Sequence, residues 1–460
     1  MKHKPAAGSV STPAVVAILL AATACSLVND KLALVVLGGG LGYLAWKVWD
    51  HPEQVLGLLF TCFCAAPFLR RLHDFRLGWT PGSLLLVAPY ALFIPVALRV
   101  VRRLPMLRRG LLVPMIVVLA TIVAAFLVGI WKNEMFPAIL GLLEWGCGPL
   151  VGLYILACPE KPSSRRLVGW VSILSLVQFA YALYQWVQPP PWDAAWLMDS
   201  MMYTSMGVPE PFLMRPWGTL NSTGPLAVFL VWFVIIAILD RWFLWLAPGC
   251  LAAIVVTQVR AAWFTTVAGW AFLIVLLPSV SRSRAGLKLL TVLFALVVLA
   301  LPFQDRMAGL VERFQTLGNV KGDTSFKERQ HLMDLAMEFL ISIPEGLGLG
   351  SDGRSARNTS SGVGGGLDNG FVAIIMVLGW GGATAYLGAF LYMLFQGVAA
   401  ARQTSPEAVL HGVAALALLV ANVFGTGFSD FVGVITWTSL AMCYRAYMDQ
   451  PRFLAAGWKR

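Results

Sequence analysis

Charge is what this chain has least of. Only 12% of its 460 residues are Asp, Glu, Lys or Arg, against about a quarter in a soluble domain. That shortage excludes a well-solvated globular surface. Acidic residues are the scarcer sign, 23 against 34 Lys and Arg for a formal net charge of +11. Five histidines and seven cysteines leave little for metal or thiol chemistry. Cys25, Cys62, Cys64, Cys147, Cys158, Cys250 and Cys443 all lie in or beside apolar segments, which excludes a disulfide framework. Cys62 and Cys64 point to different faces of a predicted helix, a poor metal geometry that reads better as small core residues. No Cys/His metal motif, serine-hydrolase elbow or Walker loop appears.

What fills the chain is apolar: 58% hydrophobic residues and a mean hydropathy of +0.75. Candidate membrane spans fall at 13–28, 32–49, 54–70, 81–99, 111–130, 137–158, 167–188, 224–239, 242–259, 261–279, 288–302, 370–395, 408–424 and 431–447. The fold class expected is an all-α polytopic membrane protein with about 12 to 14 transmembrane helices. The amino-terminal Met-Lys-His-Lys and the apolar run from Pro13 read as a first membrane helix and not as a removed signal peptide.

Basic loops set the expected orientation. Arg99, Arg102, Arg103, Arg108 and Arg109 form one, Lys161, Arg165 and Arg166 another, and Arg282, Arg284 and Lys288 a third; the tail carries Arg445, Arg452, Lys459 and Arg460. If the spans alternate, all four lie on one side, which is then cytoplasmic. Arg70, Arg71 and Arg76, with Asp74, break the pattern by falling outside; either an upstream span is misplaced or these charges serve a function. Two long segments also fall outside: 189–223, rich in Pro and Trp, and 303–367. The expected organisation is therefore 1–188 amino-terminal membrane helices, 189–223 a first outer loop, 224–302 central helices, 303–369 a large outer loop, and 370–460 carboxy-terminal helices and tail. Within the large loop, Leu332, Leu335, Ala336, Phe339 and Leu340 recur at spacings of three and four, with Glu328, Asp334 and Glu338 off the stripe. This predicts an amphipathic helix on the membrane or over a cavity. Residues 346–370 are dense in Gly and Ser, which suggests a lid.

Candidate chemistry collects at the outer boundary. Arg215, Arg260 and Arg329 are each predicted at the water–membrane interface. Arg260 is the sharpest, because two apolar spans abut it and the turn must be tight. A guanidinium held there offers planar paired donors to a phosphate; the bland alternative is an arginine that merely snorkels. The stretch Gly218-Thr-Leu-Asn-Ser-Thr-Gly-Pro225 runs into a helix start, so that Asn221, Ser222 and Thr223 would gather at a positive helix end, an anion site or a plain N-cap. Pro344-Glu-Gly-Leu-Gly-Leu-Gly350 resembles a phosphate loop only superficially and reads as a tight turn that lets backbone approach a substrate or the bundle. Asp368, before Asn369 and Gly370, opens another helix and is a candidate base or a cap. His331 is a second candidate base, and Arg354, Arg357 and Asn369 are candidate substrate contacts. His73, Asp430 and Glu144 complete the set; Glu144, inside a predicted span, requires a partner or a watery cavity.

In order, Arg215-Pro-Trp-Gly-Thr-Leu-Asn-Ser-Thr-Gly-Pro, Arg260-Ala-Ala-Trp, Arg329 through Ile343-Pro-Glu-Gly-Leu-Gly-Leu-Gly, and Asp368-Asn-Gly with Leu378-Gly-Trp-Gly-Gly resemble the O-antigen ligase and polysaccharide polymerase superfamily over about residues 205–395. The resemblance implies a bacterial inner-membrane glycosyltransferase with a large periplasmic loop and both termini cytoplasmic. It implies no metal or cofactor, and a glycan on undecaprenyl pyrophosphate as substrate, its diphosphate held by Arg215, Arg260 and Arg329. Partners would be that lipid-linked glycan, membrane lipid and other polysaccharide export components, with no nucleic acid. Ligases of the family usually carry a His where this chain has Asp368, and the stretch Leu69-Arg-Arg-Leu-His-Asp-Phe-Arg is more like exopolysaccharide polymerases. The expectation is a polymerase, with an O-antigen ligase as the near alternative and a lipid-glycan transporter or flippase as the distant one.

Overall fold

The computed structural model describes residues 10–106, 109–306, 341–353, 369–423, 425 and 427–450. Among these every element is helical. Each candidate span meets helix: α1 (Thr12–Ser26), α2 (Asp30–Leu34) with α3 (Gly40–Lys47), α4 (Pro52–Leu77), α5 (Ala88–Ala91) with α6 (Phe93–Arg103), α7 (Arg109–Asn133), α8 (Met135–Ala157), α9 (Ser164–Val187), α12 (Thr223–Ile236), α13 (Phe243–Val256), α14 (Arg260–Leu276), α15 (Ser279–Ala300), α16 (Gly370–Thr404), α17 (Pro406–Ala421) and α18 (Asp430–Met448). Among the described residues, seven helical segments are long and apolar enough to cross a membrane, and five more apolar helices are shorter. The chain is a multi-pass membrane protein.

Some expected spans are not continuous helix. The stretch 32–49 is broken: α2 gives way to a π-helical turn over Val35–Gly39 before α3 begins. Three consecutive glycines, Gly38 to Gly40, remove the side chains that would favour regular helix. The loop 189–223 contains two further helices, α10 (Pro191–Asp199) and α11 (Tyr203–Met206).

Two compact units divide the chain, 1–104 with 157–259 and 287–306, and 105–156 with 260–286 and 307–460. In the first, α4 packs on α9 and α10, and α9 on α12 and α13. Small residues permit the close approach that lipid-embedded helices need: a methyl at Gly57 would meet the Trp170 indole at 2.5 Å, and one at Gly249 the Phe179 ring at 2.5 Å. In the second, α16 packs on α7 and α18, and α14 and α18 on α17. There Gly397 lies against the Tyr444 backbone, and Gly148 against Trp437 and the Gly433 carbonyl. Trp437 Nε1 donates to Tyr386 Oη at 2.8 Å inside this packing. Arg445, buried on α18, donates to the Ile155 and Leu156 carbonyls at the C-terminal end of α8, where a cation complements the helix dipole.

The helix expected over Leu332 to Leu340 lies outside the described residues, as do Arg108, Arg452, Lys459 and Arg460.

Candidate functional site

In the first unit the motif from Arg215 to Thr223 is an ordered loop with its own small core. Trp196 and Leu197 of α10 pack with Met206, Met214 and Trp217, all buried. Backbone bonds pin the loop further: Arg215 N donates to the Met206 carbonyl at 2.8 Å, and Phe212 N to the Trp186 carbonyl.

Beneath it is a buried polar network that accounts for the misplaced cations of α4. Arg71 is fully buried and its Nε donates to Asp193 Oδ1 at 2.6 Å, also fully buried. Its remaining nitrogens donate to the carbonyls of Gly218, Thr219 and Leu220. The Trp217 and Phe68 rings lie within 6.0 Å of the guanidinium. Asp193 Oδ2 accepts from Tyr181 and from Gln185 Nε2, each at 2.7 Å. Gln185 Oε1 accepts from Gly218 N at 2.8 Å and from Trp217 N. Gln178 bonds Thr219 through both ends of its amide. Arg70 is likewise committed inside the protein, to Asp74 at 3.1 Å and the Thr80 carbonyl. Arg70 and Arg71 are thus interior charges with assigned partners and not loop cations of the kind that set topology.

The loop delivers the chain to α12, whose N-cap position is Ser222. The Ser222 side chain makes no capping hydrogen bond, so the cap reading of this motif lacks its usual contact and the first-turn N–H groups keep their partial positive charge. Asn221 Oδ1 is buried without a hydrogen-bond partner among the described residues. It is an acceptor suited to a hydroxyl. Arg215, Asn221, Ser222 and Thr223 therefore share one ordered segment.

The second unit carries Arg260 at the first position of α14. The turn before it is as tight as the abutting spans required: Gln258 takes a left-handed φ of 57°, and Val259 N donates to Thr257 Oγ1 at 3.4 Å. Asn369 caps α16, its Oδ1 accepting from Phe371 N at 2.9 Å and Val372 N at 3.2 Å. Arg329, His331, Arg354, Arg357 and Asp368 lie outside the described residues.

The glycine-rich stretch 344–353 approaches the bundle. Trp380 N donates to the Pro344 carbonyl, and Leu347 N, Gly348 N and Leu349 N donate to the carbonyls of Met376, Val377 and Ala125. Gly346, Gly348 and Gly350 all have φ between 79° and 95°. A methyl on Gly348 would fall within 2.2 Å of Gly129 N. On the other side α16 is interrupted at Gly379 (φ 70°), which opens the helix where the loop crosses it. Asn133 Nδ2 donates to the Leu347 and Leu349 carbonyls, and Lys132 Nζ to Glu345 at 2.6 Å, which holds the Glu345 carboxyl below its usual range. At the far end Asp352 is buried, and that burial pushes its carboxyl up to about 6. A methyl on Gly353 would lie 3.2 Å from Glu144 Oε2, so the loop closes over this buried glutamate. Asp430 opens α18 with a φ of 51°, and His73 Nδ1 bonds the Ser26 carbonyl at 2.7 Å.

Sequence reasoning missed Asp193, Gln178, Tyr181 and Gln185. A signal was present: 178, 181 and 185 form a polar stripe at spacings of three and four on an otherwise apolar span.

No curated protein matches the chain. Residues 245–387, from within α13 to within α16, match the family model described as O-antigen ligase. The ordered motifs at Arg260, at the glycine-rich loop and at the α16 break all fall inside that match, which spans about a third of the chain.

Proposed function

We propose that this protein is a polysaccharide polymerase of the bacterial inner membrane. It transfers a growing glycan from undecaprenyl pyrophosphate to the incoming lipid-linked repeat unit at the periplasmic face, in exopolysaccharide or O-antigen synthesis. The segments 189–223 and 303–369 are the periplasmic loops, and both termini are cytoplasmic. The observation that carries the reading is the family match over 245–387, with Arg260 held in a tight turn inside it.

In the reaction an acceptor hydroxyl oxygen bonds to the anomeric carbon of the donor sugar while the bond from that carbon to the pyrophosphate oxygen breaks. The hydroxyl proton passes to Asp368 or His331, and undecaprenyl pyrophosphate departs with the bonding pair. Arg215, Arg260 and Arg329 offset the charge that develops on the leaving group. The N-terminus of α12 suits the same anion, and Asn221, Ser222, Thr223, Arg354, Arg357 and Asn369 orient the sugars. No metal is required for this chemistry when guanidiniums carry the charge.

Replacing Arg260 with Ala, with membrane expression verified, is expected to abolish high-molecular-weight polysaccharide. Polymer at normal amount would remove Arg260 from the mechanism. A ligase that joins finished polymer to a lipid A core is the second reading, favoured by the description of the matching family model.

A further inference from the structure

A cavity of about 1040 Å³ runs along the first unit between α1, α4 and α9. Its wall is mostly apolar, with Val16, Leu19, Phe68, Ile173, Leu174 and Val177 among its lining residues. Val16, Ile173 and Val177 are between 48% and 62% exposed, so the cavity opens sideways on the apolar surface. His51, Gln54 and Arg166 line one end and Tyr181 and Thr219 the other, with Thr12, Thr23 and Thr61 also in the wall.

We propose that this groove holds the polyprenyl chain of the lipid-linked donor, with the chain's pyrophosphate head at the Thr219 end. The proposal rests on the glycosyl-transfer reading above and adds to it the place where the carrier lipid is gripped. Two observations carry it. The first is length: from Arg166 to Tyr181 along α9, and again from Gln54 to Leu69 along α4, the lining residues extend over about 22 Å at 1.5 Å per residue. A single leaflet is only about 15 Å deep, so the groove continues past the bilayer midplane, as the path of a polyprenyl chain anchored at one face would.

The second is continuity. Thr219 and Tyr181 belong both to the groove and to the network that fixes the Arg215–Thr223 loop, through Gln178 and Asp193 respectively. A chain in the groove therefore ends against the loop proposed to bind pyrophosphate.

Gly169 supplies the test. It lines the groove, and a Cβ built on it meets nothing within 4 Å, so a larger side chain enters the cavity without displacing protein. Binding of undecaprenyl pyrophosphate and of short-chain geranyl pyrophosphate to the full-length purified protein would be measured by native mass spectrometry. Gly169→Phe is expected to weaken the long-chain probe about tenfold more than the short one, a difference of about 1.4 kcal/mol; equal effects on the two probes would overturn the proposal. Should Gly169→Phe fail to fold, a benzophenone amino acid at Ile173 serves instead. Crosslinks to undecaprenyl pyrophosphate support the proposal, and crosslinks only to phospholipid overturn it. If the probe occupies the groove yet no glycan is transferred from a lipid-linked repeat unit, the enzymatic reading fails and the groove assignment stands.

Discussion

The two segments that carry the candidate motifs are anchored by opposite means. Residues 215–222 are gripped by side chains: a buried guanidinium and two amides satisfy the loop's carbonyls and N–H groups, and the Asp193 carboxylate holds the guanidinium and one of the amides in place. Residues 344–353 are held largely through backbone, with glycines at positive φ so that chain lies against chain. The first solution is exposed to loss of a polar partner, the second to an added carbon.

The largest effect that would sharpen this contrast comes from Arg71. Arg71→Met leaves Asp193 charged and buried, which costs about 3–5 kcal/mol. Thermal melting of the detergent-solubilised protein should show a large loss, and combining Arg71→Met with Asp193→Leu should recover part of it, since no isolated buried charge then remains. A melting temperature unchanged in Arg71→Met would break the comparison. Gly348→Ala comes next: the methyl meets Gly129 backbone and φ of 79° is strained, for an expected loss of about 1–3 kcal/mol by the same melt. Gly169→Ala, with open space around it, is the control and should melt like the parent.

The smallest effect is a pH dependence confined to the glycine-rich segment. Because the folded loop raises the Asp352 carboxyl to about 6, it favours the protonated form. The stabilisation is full below the ordinary carboxylate range and is lost as pH rises through about 6. Hydrogen exchange across 344–353, corrected for the intrinsic rate, should show opening that grows from acidic to neutral pH, and Asp352→Asn should flatten the profile. A profile unchanged by that substitution would assign the opening to another group.

Much of the fold was legible because hydropathy is a local property. Every expected span meets helix, and the irregular span 32–49 holds three consecutive glycines, Gly38, Gly39 and Gly40. The tight turn before Arg260 was legible for a similar reason, since two apolar runs leave no room for a long connection. The Arg71–Asp193 pair was not. Its members lie 122 residues apart, and nothing local to Arg71 reveals which carboxylate it meets. Charge counting registered the anomaly at Arg70 and Arg71 but could not tell an interior ion pair from a misplaced loop. The glycine-rich stretch was readable as a close backbone approach, while its target, the break in α16 at Gly379, depended on packing between distant segments.

The central claim, that this chain lengthens a glycan on its lipid carrier, is tested most directly by sizing the lipid-linked glycan in cells that lack the protein. The account predicts that only single repeat units accumulate on undecaprenyl pyrophosphate, with chain length restored by the intact protein and not by Arg260→Ala. Full-length polymer accumulating on the lipid carrier would contradict it and identify the chain as a ligase.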